Sequence, residues 1–562
     1  MSERFMGASF SRRQVLGLLG VASAAVVLPG CTSGGGGSSA LASGGAIAAG
    51  RLPAYVAPPE VPGGLVSPVP GMPTIYTSTP TEFFRSVPAA PGSGGRVTSF
   101  QVLWGSPPRS VADGNRYWAE LNSRLAIDFA PNLAPSGQYA DKLATVLASG
   151  DVPDLTFVQD TTPIGIQAIE DGAFADLTDV LAGDGVLEWP NLANVGTNAW
   201  RASAKGGRLY GVPNENPYLT NFPVIRWDLV TAAGHDEVPA DAEGFLTLLT
   251  DIADLRETHG KRHWALAGID SKIQACLEWM FRAGTTWQLD DAGKLVHVIE
   301  TEAFAEVMNY ENRLWNSGAI HPDAFGTGLG DLFTPGQIAL SSDSFSGFFG
   351  NPILEQVTNQ TPSAELRFFV PPAFDGGDLV IQRDDGYWGF VAISAAAAAD
   401  DTRLAELLGV LNYWRAPYGS EENLFIESGV EGFNFTIGPD GTIEPLNDDS
   451  ADADRLAVQW LGAFKSPSYS IPARLDGYTE NFRTTMESLI QQTVVNPVVG
   501  LYSETSVRNG ARLEEVHTNF RNGMIAGRIP VTDMAEYRAQ WRTAGGDAMR
   551  DEYTAALESA GA

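Results

Sequence analysis

Short apolar runs that alternate with amphipathic helices constrain this 562-residue chain more than any other feature. Val97-Thr98-Ser99-Phe100-Gln101-Val102-Leu103-Trp104 reads as a buried strand. Trp118, Leu121 and Leu125 then fall at helical spacing, and Asp128-Phe129-Ala130-Pro131 is a short extended piece. Tyr139, Leu143, Val146 and Leu147 mark the apolar face of a second helix, which Gly150 and Pro153 stop before the strand Leu155-Thr156-Phe157-Val158. A strand apolar throughout must be covered on both faces. Strand–helix–strand order of this kind therefore predicts an α/β fold, a parallel sheet with helices on each side. The pattern returns in Trp264–Ile269, in the helix carrying Ala303, Phe304, Val307, Met308, Leu314 and Trp315, and in the strand Tyr387–Ile393. A strong helix with Leu404, Leu407, Leu408 and Leu411 follows before Pro417. Asp440-Gly441 between Ile437 and Ile443 signals a hairpin, and residues 475–560 are mostly helical in period.

The N-terminus lies outside that body. Ser11-Arg12-Arg13-Gln14-Val15-Leu16-Gly17 precedes an apolar run, Leu18 to Leu28, too short to span a bilayer permanently. The paired arginines resemble a twin-arginine export signal. Leu28-Pro29-Gly30-Cys31 resembles a bacterial lipobox, where the cysteine thiol is acylated and the leader, residues 1–30, is removed. Cys31 is then the expected lipidation site, and the expected location is the extracytoplasmic face of the cell membrane. Each buried CH₂ of such an anchor contributes ~0.8 kcal/mol. Residues 31–95 form a tether and arm. Gly, Ser and Ala dominate 32–51, a flexible composition. From 52 to 95 prolines recur, interleaved with Tyr55, Tyr76, Phe83 and Phe84, which predicts an extended arm partly docked on the body.

Charge and motifs exclude several functions. The chain has 36 lysines and arginines against 67 acids, a net charge of −31. Removing residues 1–30 takes Arg4, Arg12, Arg13 and Glu3 with it and leaves the rest more acidic by two charges. Phosphate neutralisation requires clustered Lys and Arg, so no nucleic-acid partner is expected. Only Cys31 and Cys276 are present, which rules out a disulfide framework once Cys31 is lipidated; Cys276 reads as a small buried hydrophobe. There is no Walker motif, no G-x-S-x-G elbow and no H-E-x-x-H. His259 and His263 have i, i+4 spacing, but Gly260 and the polar Thr258–Arg262 stretch make the segment a solvated turn rather than a metal pair. Asp290-Asp291, Asp384-Asp385 and Asp448-Asp449 likewise read as solvated turns. No metal and no cofactor is expected.

Several motifs, in order, carry a resemblance. Leu147-Ala148-Ser149-Gly150-Asp151-Val152-Pro153-Asp154-Leu155 follows a helix and opens a strand. Arg208-Leu209-Tyr210-Gly211-Val212-Pro213 comes next, then Val224-Ile225-Arg226-Trp227-Asp228-Leu229 through Gly234. Leu332-Phe333-Thr334-Pro335-Gly336-Gln337-Ile338-Ala339-Leu340 and Ser428-Gly429-Val430-Glu431-Gly432-Phe433 complete the series. Over about 97–550 the chain resembles the extracellular solute-binding proteins of ABC importers, carbohydrate-type family 1, in the LipO-like lipoprotein branch. The resemblance implies a two-lobed, periplasmic-binding-protein-like (Venus flytrap) α/β fold with discontinuous lobes. Lobe 1 would comprise 96–212 and 388–435, and lobe 2 would comprise 213–387 and 436–562. A body of roughly 465 residues suits two lobes.

In open α/β sheets ligands bind beyond the carboxyl ends of strands. The candidate contacts are therefore Trp104, Asp160, Asn214, Glu215, Tyr218, Asp343, Phe345, Tyr387, Trp388 and Glu431, with no catalytic residue and no metal ligand. Aromatic faces suit the C–H faces of a sugar, and carboxylates and amides suit its hydroxyls. The expected partners are a small-molecule solute, a sugar or oligosaccharide, and an ABC permease with a separate ATPase; the protein itself is expected to be a monomer. Two alternatives stand beside this reading. One is an extracytoplasmic carbohydrate-active, glycosidase-like enzyme using Asp160 and Glu215 as carboxylates about 5–10 Å apart. The other is a ligand-sensing receptor feeding a signalling partner.

Overall fold

In the computed structural model the described residues are 41, 45–159, 163–255, 262–284, 286–326, 332–350, 353–438, 442–446, 454–455 and 468–559, all within the unit Ser39–Ala562. Cys31, Asp160, His259, the Asp440-Gly441 turn and Asp448-Asp449 lie outside them. The strands of the two largest sheets are, in chain order, β1 (Arg96–Leu103), β2 (Asp128–Pro135), β3 (Leu155–Val158), β4 (Gly211–Glu215), β5 (Asn221–Arg226), β6 (Leu340–Ser344), β7 (Leu366–Phe368) and β8 (Tyr387–Ile393).

The first sheet has the order β2-β1-β3-β8-β4. β1 runs parallel to β2, from Arg96 opposite Asp128 to Leu103 opposite Pro135, and parallel to β3. The helices expected between them form as Arg116–Leu125 (α1) and Tyr139–Ser149 (α2). Asn115 caps α1, its Oδ1 accepting the Trp118 N–H at 2.8 Å, and Ala126 closes it in the left-handed region at φ 50°. Gly150, at φ 75°, closes α2, a conformation that favours glycine.

One expectation of the strand–helix pattern needs correction, because the sheet is not wholly parallel. β8 is antiparallel to both β3 and β4. The reason is topological. β1 and β3 are followed by helices that return the chain to the start of the next strand, whereas β8 comes back from the second sheet. It enters the first sheet at the edge where β1, β3 and β4 end, so it must run the other way.

The second sheet, β7-β5-β6, is antiparallel in both pairings. Its central strand buries both faces: Phe222 and Val224 pack in one cluster with Trp279, Phe348 and Phe482, and Ile225 packs in another with Phe245, Phe304 and Leu314. The strand predicted at Trp264–Ile269 is reduced to two bridges, Trp264 to Ile338 and Leu266 to Ile320. The amides of Ala265 and Leu266 both donate to the Ala319 carbonyl, at 2.9 and 3.1 Å, so no regular ladder can continue there.

Each sheet has its own hydrophobic core. Phe100, Leu121, Leu125, Trp200, Leu407 and Leu411 belong to the first. The C-terminal helices, including Glu504–Ile525 and Met534–Trp541, pack on the second through Met524, Tyr537 and Trp541. The result is a two-lobed α/β fold. The chain passes between the sheets through residues 216–220 and 383–386, which lie side by side: the Asn216 N–H donates to Gly386 O and the Asp384 N–H to Tyr218 O, each at 2.9 Å.

The arm before β1 lies on this body. Ala54 and Val56 donate to Gly183 O and Ala193 O, both at 2.9 Å. Thr74–Tyr76 pairs in parallel with Ser468–Ser470. Further on, the buried Glu422 carboxylate accepts from the Ser86 N–H (3.0 Å), the Ser86 hydroxyl (2.9 Å) and the Val87 N–H (3.1 Å).

Candidate functional site

The strand ends of the first sheet bring several of the sequence-selected residues to one edge. Trp104 follows β1 and is 39 % exposed. Its ring lies 5.3 Å from that of Trp388 in β8, which lies 5.1 Å from Phe157 in β3. Tyr387 stands opposite Glu215 in the β8–β4 ladder. The Tyr387 hydroxyl accepts from Lys205 Nζ at 3.1 Å, and the same ammonium donates to Ala202 O at 3.3 Å.

A cavity of 820 Å³ opens beside the crossing segments and takes its walls from both lobes. The first contributes Ala202, Lys205 and Tyr387; the second contributes Asn221, Lys272, Glu278, Trp279 and, beside the second crossing, Gln382, Asp384 and Asp385. Lys272 pairs with Asp343 at the end of β6. Burial pushes the Asp384 carboxyl up to about 6, against the hydrogen bond it accepts from the Thr220 hydroxyl at 2.6 Å. Burial likewise pushes Glu278 up to about 8, with Glu311 adding to the shift and the Gln274 amide, which donates at 2.8 Å, opposing it. Near neutral pH Glu278 is thus mostly protonated and can itself donate. The wall therefore offers ammonium, carboxyl, carboxylate, amide and aromatic groups together, in a volume ordinary for a small-molecule site.

A second cavity, of 360 Å³, is lined by Glu215, Asn216, Pro217 and Tyr218 of the first crossing, by Tyr418, and by the arm from Tyr55 to Tyr76. Burial pushes Glu215 up to about 7, opposed by Arg415 and by the Gly196 N–H that donates to its Oε1 at 3.1 Å.

Other sequence-selected residues fall elsewhere. Asn214 is fully buried, its Oδ1 accepting from Arg415 Nη2 at 3.2 Å, and lines neither cavity. It alternates with Glu215 along β4 and so faces the opposite side of the strand. Phe345 belongs to the core, stacked on Tyr469 at 3.9 Å and on Phe349 at 4.8 Å, because the helical turn Ser346–Gly350 folds the chain back at once. Glu431 is exposed in the turn that bridges to Phe435 and lines neither cavity. His263 is buried rather than solvated.

Sequence reasoning missed Lys205, Lys272, Glu278, Trp279 and Gln382, and it read Asp384-Asp385 as a turn facing water. The one signal for that pair was its place, an Asp-Asp-Gly immediately before an aromatic strand start.

No protein-family model matches the chain. It is 21 % identical over 474 residues to lipoprotein LipO of Bacillus subtilis (strain 168), covering 80 % of this chain and 90 % of LipO. It is 22 % identical over 493 residues to the polygalacturonan/rhamnogalacturonan-binding protein YtcQ of the same organism, covering 84 % of this chain and 93 % of YtcQ. Among solved structures it is similar to the alginate-binding protein AlgQ2, with a TM-score of 0.59 at 12 % identity, covering 84 % of this chain and 100 % of that one. The two sheets and their paired crossings thus give a fold shared with AlgQ2, and the similarity to LipO and YtcQ runs over nearly the full length of both relatives.

Proposed function

We propose that this protein is the substrate-binding lipoprotein of an ABC importer, capturing a sugar or oligosaccharide between its lobes. The observation that carries the reading is the 820 Å³ cavity walled by both lobes, whose aromatic, amide, carboxyl and ammonium groups match the alternating C–H faces and hydroxyls of a saccharide. Relatives and structural neighbours named for binding polygalacturonan, rhamnogalacturonan and alginate support the ligand class. Ligand touching both walls would favour the closed arrangement of the lobes, a population shift through differential affinity. A permease would read that closed form and a separate ATPase would supply energy; the protein has no catalysis of its own. A lipid on Cys31, at the end of the lipobox-like Leu28-Pro29-Gly30-Cys31, would hold it at the extracytoplasmic membrane face; no helix among the described residues is long and apolar enough to cross a membrane. In this reading the lobes exchange at the crossings, lobe 1 ending with β4 and resuming with β8.

Calorimetric titration of residues 32–562 against an oligosaccharide panel tests it. At least one glycan should bind at a stoichiometry near one for the interlobe cavity, with affinity reduced by Asp385→Ala or Lys272→Ala. Binding of peptides and of no glycan would sink the sugar assignment.

A further inference from the structure

The 360 Å³ cavity and the interlobe cavity share no lining residue. Half of the smaller one is arm: Tyr55, Pro58, Val61, Gly71, Thr74 and Tyr76 face the crossing residues Glu215 to Tyr218. The arm is seated tightly here. A Cβ on Gly71, whose φ of +83° already favours glycine, would stand 2.0 Å from the Tyr218 ring. Tyr218 is held from the other direction by Asn198, whose Nδ2 donates to its hydroxyl at 2.7 Å.

The chemistry of the lining selects a ligand class. It has one carboxyl group, Glu215, and no lysine or arginine, so an anion gains nothing there. An organic cation would seek open aromatic faces. Three of the four tyrosines are engaged, Tyr76 and Tyr418 stacked on each other at 4.1 Å and Tyr218 under the Arg383 guanidinium at 4.1 Å; Tyr55 keeps an exposed face, but Arg383 and the Arg415 that acts on Glu215 both oppose a cation there. What remains is the Tyr55 face, ring edges, the Glu215 carboxyl, the Asn216 amide and the Thr74 hydroxyl, the Asn194 Nδ2 already donating to Val56 O at 2.8 Å. That is a set of hydrogen-bonding groups around an apolar wall, suited to a neutral polyol.

We propose that the arm and the first crossing segment enclose a second binding site, for a neutral saccharide of one or two residues. The site bears on the hinge because of how the arm is held. Its two flanks bond to the first lobe, at Gly183 and Ala193 on one side and at Glu422 on the other. Its middle strand, Thr74–Tyr76, pairs with Ser468–Ser470, where Ile75 and Tyr469 share the second lobe's core. A saccharide in the cavity touches arm, crossing and that pairing at once, and so fixes the arm across the hinge.

Hydrogen exchange on the mature chain tests this with defined probes: the methyl α-glycosides of glucose, galactose, mannose and xylose. At least one should slow exchange in peptides covering 53–76 and 468–471. Glu215→Gln, which can keep the Gly196 contact, and Tyr418→Ala should each raise the sugar concentration needed for half-protection by about tenfold or more. Lys272→Ala, in the interlobe cavity, should leave that concentration unchanged. Absence of arm protection with all four glycosides, or protection that survives both Glu215→Gln and Tyr418→Ala, overturns the proposal. The readout is local to the arm, so it stands or falls separately from oligosaccharide capture between the lobes.

Discussion

The indole of Trp104 lies 5.3 Å from that of Trp388, tilted by 50°, where β1 ends and β8 begins. The two rings differ in support. Trp104 is 39 % exposed, whereas Trp388 is half-buried against Phe157 and the core of the first lobe. Trp104 lines neither cavity, so its binding role requires the oligosaccharide to extend from the interlobe cavity along this strand edge; Trp104→Ala is then expected to weaken binding by up to about tenfold with little loss of stability, since aromatic contacts add about 0.5–1.5 kcal/mol. Trp388→Ala should cost about 3 kcal/mol of stability as well. Calorimetry and thermal melts on both variants separate the two effects.

Buried carboxyls make stability depend on pH in a defined direction. Burial raises Asp384 to about 6, Glu311 to about 7 and Glu278 to about 8. The folded chain holds these protons more tightly than the unfolded chain. Their contribution is present at acid pH and is lost as pH rises from about 4 through the folded values. Glu278→Gln retains an oxygen for the Gln274 amide and removes the charge. It should melt higher than the wild type at pH 8 and nearly alike at pH 5, a difference that scanning calorimetry reads directly.

Glu422 anchors the arm, and its loss should be felt there first. Glu422→Ala strips partners from the Ser86 and Val87 amides, at a cost of about 1–3 kcal/mol for each buried group left unpaired. The expected result is faster proteolysis between residues 78 and 92, while the body keeps its cleavage pattern. Mass spectrometry of limited digests checks it.

Phe345, like Trp104, lines neither cavity, but it is buried where Trp104 is exposed. Stacked on Tyr469 and Phe349, it contributes to packing and to no cavity wall. Phe345→Ala should cost about 3–5 kcal/mol in denaturant unfolding and leave oligosaccharide affinity within about twofold. A large loss of affinity in a fully folded variant would return Phe345 to the site.

Which parts were legible follows from which physics was local. α1 and α2 could be read because their periodicity, and for α2 the stop signal, lie within a dozen residues, as with Leu143, Leu147 and Gly150. Position past a strand end selected Asn214 and Glu215 alike but could not say which of them looks toward solvent; that depends on Arg415, which helix Asp401–Trp414 delivers from far along the chain. Asp384-Asp385 looked like any acidic turn, since nothing local reveals that the crossing sets it near Lys205 and Lys272. The arm's aromatics announced docking, but the residue pairs they meet, Tyr76 with Tyr418 for one, are long-range and carry no spacing signal.

The antiparallel entry of β8 also bears on how the protein is made. β8 lies between β3 and β4 in the first sheet, yet it leaves the ribosome long after both. Until residue 393 emerges, the edges of β3 and β4 that β8 pairs lack that partner, an open template for mispairing. Closing that gap requires contacts of large sequence separation, which form slowly. A nascent chain of this design is exposed to aggregation from the emergence of Val158 until that of Ile393. Whatever else the chain meets first, those edges are protected only once β8 has closed on them, so the last strand to join the first sheet is also the one that makes the lobe safe to release.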